Sequence, residues 1–216
     1  MGLMTFVNAE PSPRPRRNSA AQLLEAVSQI LTERNSTEVS LSDVAAASNL
    51  NAALVKYHFR NKEGLLLALV RRDAETALAQ LNNLVEMPLA PEQKIRIHVS
   101  GIINTYARHP YLNRLLHELL ESKDETVVRE LNAFFVKPLA TAQAALLRQG
   151  VEAGVFREVT PMHFYLAITG ACDQFFYSAK SLKYAFGVPD IEDGMREAYA
   201  EFVADMAIKA LRKGQG

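Results

Sequence analysis

Six of the nine prolines, at positions 88, 91, 110, 138, 161 and 189, are spread through the chain like boundaries, and between them apolar residues recur at intervals of three and four. Proline lacks a backbone N–H and crowds the preceding helical turn, so such residues mark where helices begin and stop. The segments between them carry one-sided stripes: Leu23, Leu24, Val27, Ile30 and Leu31; then Ile95, Val99, Ile102 and Tyr106; then Tyr199, Phe202, Val203 and Met206. That period suits a helix buried along one face. Alternation of period two shows only briefly near 39–41. The pattern predicts an all-α chain with nine helices near 18–34, 41–48, 52–58, 62–86, 91–108, 110–122, 125–150, 161–184 and 190–212. Pro138 falls inside the seventh, which should kink or break there. A break at Met87-Pro88-Leu89-Ala90-Pro91 separates the first four helices from a longer, more apolar bundle.

Composition removes several classes. The 216 residues balance 24 Lys and Arg against 24 Asp and Glu, and 49% are hydrophobic, an ordinary globular mixture rather than a uniformly basic coat. The balance is uneven along the chain. Residues 10–72 hold nine basic and six acidic side chains, whereas the remainder holds 15 and 18. One cysteine, Cys172, permits no intrachain disulfide, which points to a reducing cytoplasm. The longest uncharged apolar run, 159–172, has 14 residues and includes Pro161 and His163, short of the roughly 20 a membrane span needs. The N-terminus lacks the basic and apolar regions of a signal peptide. The five histidines show no metal-ligand spacing, and no phosphate-binding glycine loop or nucleophile elbow occurs, so neither catalysis nor a cofactor is expected.

The most informative window is SLSDVAAASNLNAALVKYHFRNKEGL, residues 40–65. Ser40 or Ser42 can cap a short helix, with Asp43 favouring its positive end. Ala45 is small enough for a second helix to cross closely. Asn49 tolerates the left-handed turn that must follow. Asn51 can cap a second helix whose inner face is Val55 and then His58 and Phe59. Steps of four and six from Ala45 to Asn49 to Val55 are the spacing of a helix-turn-helix.

The run Asp43-Val44-Ala45 followed by Tyr57-His58-Phe59-Arg60-Asn61-Lys62-Glu63-Gly64-Leu65 resembles the DNA-binding domain of the tetracycline-repressor family. There an I-A-x-x-A-G-V-S turn leads to a recognition helix and then Y-x-H/Y-F-x-S/N-K-E-x-L. The resemblance covers about residues 18–72, and beyond them only the helical layout matches. Two positions depart from it: Asn49 stands where the family has glycine, and Lys56 where it has a phosphate-contacting tyrosine, with Tyr57 one place later.

The resemblance implies an arm at 1–17, a helix-turn-helix domain at 18–64 and a ligand-binding and dimerisation domain at 65–216. For double-stranded DNA, Asn51, Leu54 and Lys56 are expected to face bases or phosphates. Ala52 and Ala53 allow close approach, Ser40, Ser42, Tyr57 and His58 are further candidates, and Lys62 can meet a phosphate. Arg14, Arg16 and Arg17 suit a minor-groove or backbone arm. Plainer roles stand beside these: His58 and Phe59 can pack the short helix onto the fourth, Lys62-Glu63 can be a capping pair, and the tail arginines can be solubilising.

Eight of the 17 aromatic residues lie between Phe156 and Phe186. The resemblance implies that the last two helices pair with a second subunit and that the middle helices enclose an inducer pocket. Phe164, Ile168, Phe175, Tyr199, Phe202, Val203 and Met206 are the expected homodimer stripes. His98, Ile102, Tyr106, Phe134, Phe135, Tyr165, Cys172 and Phe176 are the expected pocket for a small-molecule effector. Residues at such spacing also build plain core, and Cys172 in an apolar run suits an inert thiol. The chain is therefore expected to be a homodimeric regulator, a repressor released from a palindromic operator by a ligand. The alternative is a helical ligand-binding or scaffolding protein that no longer binds DNA.

Overall fold

The computed structural model describes residues 19–214, and the arm residues Arg14, Arg16 and Arg17 lie outside the described residues. Every element among the described residues is helical, and the only strand-like feature there is one bridge between Phe156 and Arg212. The first helices follow the sequence closely: α1 Ser19–Arg34, α2 Leu41–Ser48, α3 Ala53–Phe59, α4 Lys62–Glu86, α5 Pro91–Arg108 and α6 Leu112–Leu120. None of the described helices is long and apolar enough to cross a membrane.

Two expected helices are divided. The seventh becomes α7 Glu125–Leu131, a π-helical turn Asn132–Val136 and α8 Lys137–Glu152. Pro138 offers no N–H to the carbonyl four residues back, so the strain is relieved ahead of it. There Lys137 N–H donates to the Asn132 carbonyl, one residue further than α-helical spacing. The eighth splits at Ser178 into α9 Pro161–Tyr177 and α10 Ala179–Phe186, which ends at Gly187 in the left-handed region (φ 70°). The last helix is α11 Asp193–Leu211.

Apolar faces build two cores. The first joins Leu23, Val27 and Leu31 of α1 to Val44, Val55 and the Leu65–Val70 stretch of α4, and continues into α6 and α7 through Leu112, Leu115 and Leu131. The second gathers Leu81 and Leu84 of α4 with α5, α8, α9 and α11. α4 is thus the shared beam. Its 25 residues span about 37 Å, with one end in each core. At the far end Phe156 lies against Gly150, where a Cβ would fall 1.8 Å from the ring, so only glycine admits that contact.

Candidate nucleic-acid interface and ligand cavity

The turn that presents α3 is built by local hydrogen bonds. Asp43 N–H donates to Ser40 Oγ (3.1 Å) and Ser40 N–H returns a bond to Asp43 Oδ2 (3.1 Å), closing a capping box on α2. Arg34 adds a bond to the same carboxylate (3.0 Å), and these donors, Arg34 first, hold Asp43 down at about 2. Asn49 then takes the left-handed conformation (φ 52°, ψ 33°), and Leu50 N–H reaches back to the Ala45 carbonyl (3.2 Å). Asn51 Oδ1 accepts from Ala53 N–H (2.8 Å), leaving its amide nitrogen outward.

α3 shows one arc to solvent. Ala53, Lys56 and Arg60 are exposed, and Tyr57 stands 80% exposed. Lys56, Arg60 and the half-buried Lys62 make no ion pair among the described residues, which leaves three cations around a protruding aromatic ring. Ser42 is exposed on the first turn of α2, whereas Ser40 is committed to its cap. Two expected groups turn inward. Leu54 packs against the N-terminal core beside buried Val55, and His58 Nε2 meets Ser19 Oγ at 2.6 Å, fastening α3 to the start of α1. Both follow from the burial of Val55, which fixes the helix rotation and carries its neighbours at one and three positions inward with it. Arg60 did not figure among the expected residues. Its signal is its place directly after Phe59, where the chain reverses with φ 68° and ψ −52° and Asn61 N–H bonds the Phe59 carbonyl (2.8 Å).

That reversal needs Gly64. A Cβ there would lie 2.0 Å from the Phe59 carbonyl oxygen, while Gly64 N–H donates to Asn61 Oδ1 (2.8 Å) to cap α4. Recognition helix and beam are thereby locked at a fixed angle.

A cavity of about 130 Å³ lies between the second half of α4 and α5. Of the expected pocket residues, His98, Ile102, Tyr106 and Phe135 line it. The others do not. Arg71 caps the Phe134 ring at 4.1 Å, Phe176 sits behind Tyr106 (ring centres 5.8 Å), and Tyr165 packs against the second core. Cys172 is fully buried and its thiol is pushed up to about 12 by burial, so it stays un-ionised. Ala74, Leu78 and Leu81, an apolar α4 face that its 3.6-residue spacing already carried, complete much of the wall together with Leu112 of α6.

Helices α9 and α11 differ from the expected dimer stripes. Phe164, Ile168, Phe175 and Val203 are buried in the subunit's own core, and Tyr199 stacks on Phe175 (4.3 Å). The exposed apolar residues are Met162, Leu166 and Tyr177 on α9 with Phe202 and Met206 on α11. α9 is apolar around most of its circumference, so periodicity could not separate its inner face from its outer one.

A cation-rimmed helix presented by a tight turn, on a beam that also walls an apolar cavity, defines a helix-turn-helix DNA-binding regulator with a helical ligand domain. The family comparison is specific. Residues 23–69 match the model of bacterial regulatory proteins of the tetR family, and 88–216 match the tetracyclin repressor-like C-terminal domain. The chain belongs to the tetR family. It is 25% identical to the HTH-type transcriptional repressor NicS of Pseudomonas putida, over 97% of this chain and 98% of that protein. It is 26% identical to the HTH-type transcriptional regulator EthR of Mycolicibacterium smegmatis, over 73% and 76%. In fold it is similar to FadR of Bacillus subtilis, solved with stearoyl-CoA (TM-score 0.71, 15% identity, 89% of this chain and 99% of that one). A tetR-family regulator of Rhodococcus RHA1 is alike too (TM-score 0.71, 18% identity, covering 92% and 99%).

Proposed function

We propose that the chain works in the cytoplasm as a homodimeric repressor that leaves a palindromic operator when a small molecule fills the α4–α5 cavity. The observation that carries this reading is Leu112. It lies in the cavity wall and also in the core that seats the helix-turn-helix. Tyr106 and Phe135 likewise line the cavity and pack against both cores. A ligand that favours one packing of these three side chains shifts α6 and α4 against α1–α3, a population shift set by its affinity difference between two states.

One recognition helix covers too little DNA for tight specific binding, so two must sit about 34–36 Å apart on successive major grooves. Met162 and Leu166 of α9 with Phe202 and Met206 of α11 supply an exposed apolar face for that pairing. The test is titration of labelled duplex from the gene's own upstream region at several salt concentrations, alongside sedimentation of the protein. A dimer that binds a palindrome with a steep salt dependence is expected. Salt-independent binding, or none to any palindrome there, rejects the repressor and leaves a ligand-binding protein that no longer reads DNA. Leu166→Asp with Phe202→Asp should give a monomer without operator affinity, and a persisting dimer places the interface elsewhere.

A further inference from the structure

The polar groups on the cavity wall say what kind of molecule it takes, and this rests on the ligand-released reading above. Most of the wall is aliphatic or aromatic, and no lysine, arginine, aspartate or glutamate lines it. Two of its hydroxyls are already committed. Thr105 donates to the Gly101 carbonyl (2.8 Å) and Thr169 to the Tyr165 carbonyl (2.5 Å), so neither has a proton left to give.

Tyr106 and His98 are different. Tyr106 makes no hydrogen bond within the described residues, and burial raises its hydroxyl far above the range in which it ionises, so it remains a donor. His98 is 4% exposed and burial lowers it to about 4, so the imidazole is neutral and carries one proton. Its Nε2 lies 2.9 Å from Gln143 Nε2. With the amide N–H donating there, the imidazole proton sits on Nδ1 and Gln143 Oε1 is left buried without a partner. In that arrangement His98 Nδ1–H has no acceptor among the described residues either.

Two buried donors without partners, on an uncharged wall whose one other uncommitted polar side chain is the exposed amide of Gln80, define their complement. We propose that the effector is a small, uncharged, mostly apolar molecule whose ketone-, ester- or amide-type oxygen accepts from Tyr106, with His98 offering a second donor. The two residues are eight apart on α5, about 12 Å along its axis, so a longer ligand meeting both carries an acceptor at each end. A carboxylate would be buried there with no cation to offset its desolvation. A hydrocarbon would fill the space and leave both donors unpaired.

Three probes of similar shape separate these chemistries: acetophenone, ethylbenzene and benzoate, their dissociation constants measured by saturation-transfer NMR on the full-length protein. Acetophenone should bind about fivefold to tenfold more tightly than ethylbenzene, with benzoate weakest. Tyr106→Phe should shrink that ratio severalfold, with acetophenone weakened and ethylbenzene bound at least as tightly as by the wild type, which also shows that the variant cavity is folded. Ethylbenzene equal to acetophenone, benzoate binding tightest, an unchanged ratio in Tyr106→Phe, or no binding by any of the three overturns the proposal. The same compounds added to the operator complex test the parent reading separately. The expected ranking with no release of DNA leaves the cavity chemistry standing and rejects ligand-driven release.

Discussion

The Tyr111 hydroxyl, fully buried at the corner between α5 and α6, donates to Asp73 Oδ2 on α4 at 2.7 Å. With that proton committed, the hydroxyl of Ser28 on α1 must donate to Tyr111 Oη, also at 2.7 Å. Arg72 closes the other side, 2.7 Å from Asp73 and 3.4 Å from Glu25 of α1. Three helices that meet where the DNA-reading end joins the ligand end are thus tied through one phenol. Tyr111→Phe removes a donor to a buried carboxylate and an acceptor for Ser28, so we expect a loss of about 1–3 kcal/mol. Urea unfolding at fixed protein concentration measures it, and wild-type stability in the variant would mean that Tyr111 acts through its ring alone.

The junction between α3 and α4 makes a second prediction. Gly64→Ala puts a methyl group 2.0 Å from the Phe59 carbonyl oxygen, and backbone must move to admit it. We expect a cost of about 1–3 kcal/mol in stability and a loss of operator affinity of tenfold or more, because the angle of the recognition helix is set there. Acetophenone binding, some distance along α4, should be unchanged. Equal operator affinity in the variant would show that the Phe59–Gly64 contact does not orient α3.

Much of this was legible in the residues. Ser40, Asp43 and Asn49 act through their nearest neighbours in the chain, so the capping box and the left-handed turn follow from identity and spacing alone. Helix rotation was harder. Leu54 and His58 sit on a seven-residue helix, where the buried arc depends on how α1 and α4 meet Val55, a long-range fact. Pro138 announced a break, but the chain chose a π turn at 132–136, which depends on how Phe134 and Phe135 seat against both cores. Phe164 and Ile168 show the limit of periodicity most directly. With Met162 and Leu166 equally apolar on the other side of α9, the stripe could not say which face the subunit keeps.

The exposed arc of α3 predicts a graded salt dependence. Lys56 and Arg60 are exposed, unpaired among the described residues and flank Tyr57. If each neutralises one phosphate, Lys56→Ala and Arg60→Ala should each lower the slope of log affinity against log salt by about 0.9. A phosphate contact weakens all sequences alike, whereas a base contact relaxes one operator position. Binding isotherms on the operator and on single-substituted duplexes distinguish these outcomes, and an unaltered slope in both variants removes the arc from the interface.

His98 predicts an acid sensitivity. Its folded pKa is lowered to about 4 by burial, against an ordinary value of 6.5. Between those values the unfolded chain holds a proton that the folded chain refuses, so the unfolded state binds more protons and stability falls as pH drops from 6.5 towards 4. The difference of about 2.5 pH units corresponds to about 3 kcal/mol, fully present above pH 6.5 and lost by pH 4. Asp43, lowered to about 2 by its bond to Arg34, is lost only below its ordinary value of 3.8, so the two windows barely overlap. Replacing His98 by Phe leaves Gln143 unpaired and lowers stability at every pH, so the informative quantity is the slope. Urea unfolding at half-unit steps from pH 7 to 4.5 should show a steep decline in wild type and a shallower one in His98→Phe. Parallel declines would mean that His98 takes up its proton without unfolding and is more open to water than its burial between α5 and α8 implies.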